Sequence, residues 1–372
     1  MSLRSIAKTI IFLSICSFRF SPNANLKSIP NKFPAYPDSS DNNIHFSIPE
    51  VRELAFVALS VSEIGMSDQF MINKHTSYYQ EVQNHFSPYI TTTLNELLSE
   101  ELVRYFDQMM MDATLYSFDE LGNIQKKKSH NNLSWEKKDH FEKFVPMLQS
   151  FAQHSNFRSF YNEHHLYYQE TIQKLNGRSS VSTSWEWLKH EFYTNIHDIQ
   201  IVISPLSYGR HSTNLITEKE NSTCWIFVSA SPEYQDEMTD TEKTVHSARM
   251  IFTELDHQFV NPASDKHSSK IKKLFRKRET WVNKKIQTGY PSEYAVFNEY
   301  MTWALFLIYA KENFPESDYQ TIQSTISDQM IHRRGFIRFE EFNMELQKIR
   351  SSHPDKKMED CYPMLFEQLR RY

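Results

Sequence analysis

Within the run Thr253-Glu254-Leu255-Asp256-His257, Thr253, Glu254 and His257 have the spacing of a group of side chains that could do chemistry together. On a helix, the HExxH pattern sets two histidines four residues apart on one face, where they grip a zinc ion. The glutamate between them then acts as general base on the metal-bound water. Glu254 and His257 stand in that register, and the first histidine position holds Thr253. A neutral hydroxyl is a poor zinc ligand beside imidazole, thiolate or carboxylate. The pattern therefore offers a general base, Glu254, one imidazole ligand, His257, and a degenerate ligand position, Thr253. Glu-x-x-His also occurs as the ordinary polar edge of an amphipathic helix, and that reading stands beside the chemical one.

A helix must hold these residues, and the surrounding sequence predicts one. Thr239 and Glu242 make a capping box ahead of the periodic run. Val245, Ala248, Phe252, Leu255 and Phe259 recur at three- and four-residue intervals, an apolar stripe for a core. His246, Met250, Thr253 and His257 fall on the neighbouring face. Asn261-Pro262 is the predicted stop. A third ligand must come from elsewhere. The segment 291–313 also has helical periodicity, and within it Glu299 is flanked at three- and four-residue spacing by Ala295, Val296, Thr302 and Trp303. A carboxylate on an apolar face needs a metal, a hydrogen bond or an ion pair to offset its burial. Glu299 is thus the candidate third metal ligand, with a salt bridge to Arg or Lys as the simpler alternative.

Composition limits the rest. With 372 residues, 40% of them hydrophobic, the chain can bury one large core or two ordinary ones. Only 6 glycines argue against an all-β or glycine-loop architecture. A net charge of −5 and no long basic run exclude a nucleic-acid binder, and Lys126-Lys127-Lys128 reads as a solvated loop. The pattern predicts a mostly helical α+β protein. Residues 1–20 read as a signal peptide: Arg4 and Lys8 precede an apolar stretch, Ile10 to Phe18, that is too short to span a bilayer. Export to the periplasm, outer surface or medium follows, with Cys16 in a loose lipoprotein box as the candidate anchor. Cys224 and Cys361 could pair in an exported chain or remain buried thiols.

Residues 21–47, rich in proline, read as a flexible linker. Residues 48–198 read as a helical N-terminal part, with helices at 49–65, 71–86, 92–116, 136–154 and 157–176. His164-His165 lies in the last of these; neighbouring residues diverge by about 100° on a helix, so the pair suits surface or core better than one metal. Residues 199–315 form the expected core. Ile199 to Ser204 and Cys224 to Ala230 are β-branched runs, predicted strands around a polar loop from Tyr208 to Ser222. They would form a small sheet beside the Glu254 helix, with an edge able to hold an extended peptide, or else a plain hairpin. Residues 267–285 read as an exposed helix, and 316–372 as C-terminal helices broken at His353-Pro354 and Tyr362-Pro363.

The run Thr253 to Pro262 resembles the motif HEFxHxFVNP. That motif marks a domain-of-unknown-function family of exported bacterial proteins, numbered four-nine-three-two, with a zincin-like metallopeptidase domain. Tyr78-Tyr79 through Phe86, Phe157 to Tyr161 with Tyr168, and Pro205 to Gly209 resemble further segments of it, so the likeness covers roughly residues 48–310. The resemblance implies a zincin-like fold with a small sheet beside the active-site helix, Glu254 as base, His257 as second zinc ligand and Glu299 as third. Thr253 departs from it, so zinc would be held weakly or not at all. His246, two turns or roughly 10 Å before Thr253, and His267, beyond the helix end, are the substitutes to examine. Tyr208, Tyr290 and His267 are candidates by type for stabilising an oxyanion.

Three functional expectations follow. The first is a zincin-like protein that has lost efficient zinc-dependent hydrolysis and keeps a cleft for a peptide or protein. The second is a working zinc metallopeptidase with an altered ligand set. The third is a non-enzymatic exported binding or scaffold protein in which the motif is accidental. None involves nucleic acid or a transmembrane span, and oligomeric state is left open.

Overall fold

A computed structural model describes residues 43–127, 131–136, 138–230, 238–283 and 289–372. The expected signal peptide, Cys16 and most of the linker lie outside the described residues. The remainder is mostly helical with a small mixed sheet, an α+β arrangement as the pattern predicts.

The sheet has the order β1-β4-β6-β5, where β1 is Ile44–Ser47, β4 Asp198–Ser204, β5 Ser212–Glu218 and β6 Asn221–Ser229. A separate short hairpin joins β2 (Tyr116–Phe118) to β3 (Ile124–Lys126). β4 runs parallel to both β1 and β6, and β5 lies antiparallel at the edge of β6. Ile199, Ile201, Val202 and Ile203 are fully buried on both faces of β4, which is why that strand is a continuous β-branched run. β5 is half-buried over most of its length and polar, and sequence alone suggests only a loop there. Its pairing with β6 makes it a strand, with Lys219 at φ 57° in the turn that joins them. The two predicted strands are therefore parallel neighbours, and the hairpin is β5–β6.

The motif helix, Asp240–Asp265, starts at the predicted capping box: Glu242 N donates to Thr239 Oγ1 at 3.2 Å and Thr239 N to Glu242 Oε2 at 2.7 Å. It packs on β5 and β6 and against the helix Glu293–Asn313. Ala248, Phe252, Leu255 and Phe259 are fully buried, and Phe252 stacks on Tyr309 of the second helix at 4.9 Å. Pro262 does not stop the helix, which continues to Asp265. Tyr294 Oη donates to the Asn261 carbonyl at 2.9 Å, and Asn298 Nδ2 to Asn261 Oδ1 at 2.7 Å. These tertiary bonds hold the last turn against the helix-breaking tendency of the ring.

Other boundaries move for similar reasons. The expected linker ends early, because residues 44–47 form β1 and extend the sheet alongside β4. The region 92–116 divides into the helix Thr92–Asp112 and the start of β2. Of 136–154 only Val145–His154 is an α-helix, because Asp139 instead turns the chain by accepting from Phe141 N and Glu142 N. Residues 157–176 are two helices, Phe157–Glu163 and His165–Ser179. Lys126 is on β3 and ion-paired with Asp139 rather than in a free loop. Pro363 opens the last helix, Tyr362–Leu369, because proline suits a first turn. Cys224 and Cys361 are buried free thiols and do not pair. Burial pushes the Cys224 thiol up to about 12, so it stays protonated. Among the described residues no helix is long and apolar enough to cross a membrane.

Candidate functional site

The motif helix and the helix Glu293–Asn313 bring Glu254, His257 and Glu299 into one electrostatic neighbourhood. Glu254 and His257 are half-buried on the first helix, and the charge of Glu299 acts on both. The three side chains thus lie within electrostatic reach of one another. What completes the group is a residue that spacing did not indicate. Arg334 Nη2 donates both to Glu299 Oε1 and to the Tyr290 hydroxyl. Trp303, one turn beyond Glu299, donates its indole N–H to the same carboxylate at 3.0 Å. The Arg334 guanidinium lies 4.7 Å from the Trp303 ring centre and Arg249 lies 4.8 Å from it, both within cation–π range. Glu299 thus adopts the salt-bridged alternative, with one of its carboxylate oxygens accepting two charge-assisted or aromatic N–H donors.

Arg334 is held in place by an unusual segment. It caps a π-helical turn, Gln329–Arg333, with its own N–H on the Gln329 carbonyl at 2.9 Å. Single π turns concentrate at functional sites. Gly335 follows at φ 71°, and a Cβ there would collide with the side chain of Asn283. Asn283 N in turn donates to the Gly335 carbonyl at 2.9 Å. The backbone geometry therefore sets where the preceding arginine leaves the chain.

Thr253 is buried, and its hydroxyl back-bonds to the Met250 carbonyl at 3.3 Å, the usual fate of a mid-helix threonine. Of the two proposed substitute histidines, His267 lies against another part of the fold. His267 stacks on Tyr362 at 5.7 Å and meets Phe366 edge to face at 5.4 Å, against the C-terminal helix. His246 is buried, and Arg249 is the charge that acts on it. His164 bonds Glu81 at 3.0 Å and stacks on Phe160 in the N-terminal part. Among the described residues, no group of three or more His, Cys, Asp or Glu side chains is arranged to hold a metal ion. One imidazole, and one carboxylate already engaged by a guanidinium, do not make the three-ligand set of a catalytic zinc.

Protonation follows from burial. Glu254 is pushed up to about 8, first by burial and then by Glu299, against the smaller opposing pull of Arg249 and Arg334. A carboxyl raised in this way favours its protonated form at neutral pH. Burial alone would raise the Glu299 carboxyl, but Arg334, His257 and Trp303 together hold it below the usual range. Burial lowers His257. The site thus combines a carboxyl raised by burial, an imidazole lowered by burial and one ion pair, Arg334–Glu299.

Sequence reasoning named Tyr290 only by type, and the structure brings it to Arg334 and Glu299. Tyr208 is elsewhere, its N–H on the Met71 carbonyl at 3.4 Å. Arg249, Arg334, Asp107 and Asp256 were missed. Asp107, from the helix Thr92–Asp112, acts on Glu254 and pairs with Arg210 at 3.5 Å. Asp256 is fully buried inside the motif, where burial holds its carboxyl well above the usual range against a smaller effect of the Thr302 hydroxyl. The one legible trace of Arg334 is a basic run broken by Gly335.

No curated protein and no solved structure shows a significant match to the chain. A family profile does match, over residues 124–366. That span starts after Tyr78 and Phe86 and runs past residue 310. It takes in the motif helix, the Glu299 helix and the turn that carries Arg334. The chain belongs to the family described as "Domain of unknown function (DUF4932)".

Proposed function

We propose that this protein is a zincin-like member of its family in which zinc-dependent peptide hydrolysis is lost or severely impaired and the cleft beside the motif helix binds an extended peptide or protein segment. The observation that carries this reading is the engagement of Glu299 by Arg334, with the Thr253 hydroxyl turned to its own helix. Hydrolysis would need an ionised Glu254 and a metal-bound water, and the side chains favour neither. Binding needs less. The antiparallel edge strand β5 lies against the motif helix, and Gln258 Nε2 of that helix donates to Thr213 Oγ1 of β5 at 3.1 Å. An edge strand offers main-chain donors and acceptors to an extended peptide, and neighbouring side chains then select its residues. The motif helix that packs on this strand carries a half-buried carboxyl and imidazole, Glu254 and His257, which suit a polar peptide. The likeness of Thr253 to Pro262 to a metallopeptidase motif supports the same origin.

The test is metal analysis of the purified protein together with a screen of extended peptides for binding and cleavage. Binding without cleavage, and without stoichiometric zinc, is expected. One tightly held zinc per chain with peptide cleavage would end this reading in favour of the active-enzyme alternative. In that alternative, Glu254→Gln abolishes hydrolysis while leaving the metal bound.

A further inference from the structure

We propose that Arg334 is a built-in cation that closes the former metal position, so that the site is shut to divalent ions by a protein side chain and not only by the missing histidine. The inference rests on the reading of the cluster as a former metal centre. Three observations carry it. The guanidinium hydrogen-bonds the one carboxylate that could serve as third ligand. Arginine keeps its charge at any working pH and has no lone pair to offer a metal, so it repels an incoming cation and cannot help bind it. Its carrier is defined: the π turn at Gln329–Arg333, the left-handed Gly335 and the Asn283–Gly335 bond fix the backbone from which the side chain leaves, and that side chain is only 10% exposed. Trp303 and Tyr290 then hold the group, one through its ring face and one through its hydroxyl. An arginine that merely neutralised Glu299 would need none of this scaffolding.

The consequence is that repairing the motif alone does not restore a metal site. Thr253→His supplies the absent imidazole but leaves Glu299 occupied, whereas Thr253→His combined with Arg334→Gln frees it.

The experiment is a zinc titration, by competition with a chromogenic chelator, of the natural chain, T253H, R334Q and the double variant, with thermal shift on added zinc as a second readout. The expected result is a natural chain with no stoichiometric zinc, a weak gain for T253H, and a further gain of at least about tenfold for the double variant, in line with the cost of disturbing a ligand's partners. Should R334Q not fold, R334M in the T253H background carries the same comparison. It removes the charge and the planar group shared between Tyr290 and Glu299 while keeping an unbranched stem against Trp303, and its affinity should rise above that of T253H alone. Equal affinity of T253H and the double variant, or of T253H and T253H/R334M where that pair is used, overturns the closing role while leaving the proposed function standing. Stoichiometric zinc in the natural chain overturns both.

Discussion

Arg334 and Glu299, 35 residues apart in sequence, form an ion pair whose side chains are only 10% and 13% exposed. Pairs this dry behave differently from surface salt bridges. Removing one partner leaves a buried charge with nothing opposite it, whereas removing both can be nearly neutral.

That asymmetry gives the first prediction. Glu299→Leu alone and Arg334→Met alone should each destabilise the fold by about 3 kcal/mol, and the double substitution should cost less than the two added together. Denaturant unfolding of the three variants measures this. Simple additivity would show that the pair is not coupled as the structure places it.

Glu254 provides a pH prediction. Its folded value, about 8, lies above the ordinary 4.5, so the native state binds its proton more tightly than the unfolded chain does. Its contribution to stability is full below pH 4.5 and is lost as pH rises through about 8. Glu254→Gln, which cannot titrate, should flatten the decline of stability with pH across that window. Unfolding curves at several pH values decide it, and unchanged slopes in the variant would refute it.

His246 works in the opposite direction. Burial, assisted by Arg249, lowers it from 6.5 to about 3. The unfolded chain takes up the proton first, so stability falls as pH drops from 6.5 towards 3. His246→Gln should reduce that acid sensitivity relative to the natural chain, as measured by melting temperature between pH 7 and pH 4. An equal loss in both proteins would show that His246 is not buried neutral.

Gly335 tests the carrier of Arg334. At φ 71°, with Asn283 against the missing Cβ, Gly335→Ala should cost about 1–3 kcal/mol from backbone strain. The displaced turn should also make Glu299→Leu less damaging than it is in the natural background, because its partner is already loosened. Full retention of the Glu299→Leu effect in the Gly335→Ala background would show that the arginine does not depend on this turn.

Much of the helical frame was legible because it rests on local rules. Thr239 and Glu242 capped the motif helix as read, since a capping box uses only residues three apart. The stripe through Phe252 and Leu255 marked its buried face, and Glu299 was conspicuous as a carboxylate on an apolar helix. The leading segment of the sheet and its edge were not legible. Residues 44–47 and β5 have weak strand character and become strands only by pairing with β4 and β6. Pro262 misled for the same reason, because bonds from Tyr294 and Asn298 on another helix hold the turn it should break.

Sequence by itself determined that one helix carries Glu254 and His257 three residues apart, that Thr253 stands where an HExxH pattern has its first histidine, and that Glu299 needs a partner, because periodicity and side-chain chemistry act along the chain. Only the tertiary structure decided what that partner is. Arg334 reaches Glu299 through a π turn, a left-handed glycine and a contact with Tyr290, and although Trp303 stands one turn from Glu299 on the same helix, no spacing rule relates Arg334 or Tyr290 to Glu299. Burial then fixes the protonation of Glu254, which depends on how much water the assembled fold removes.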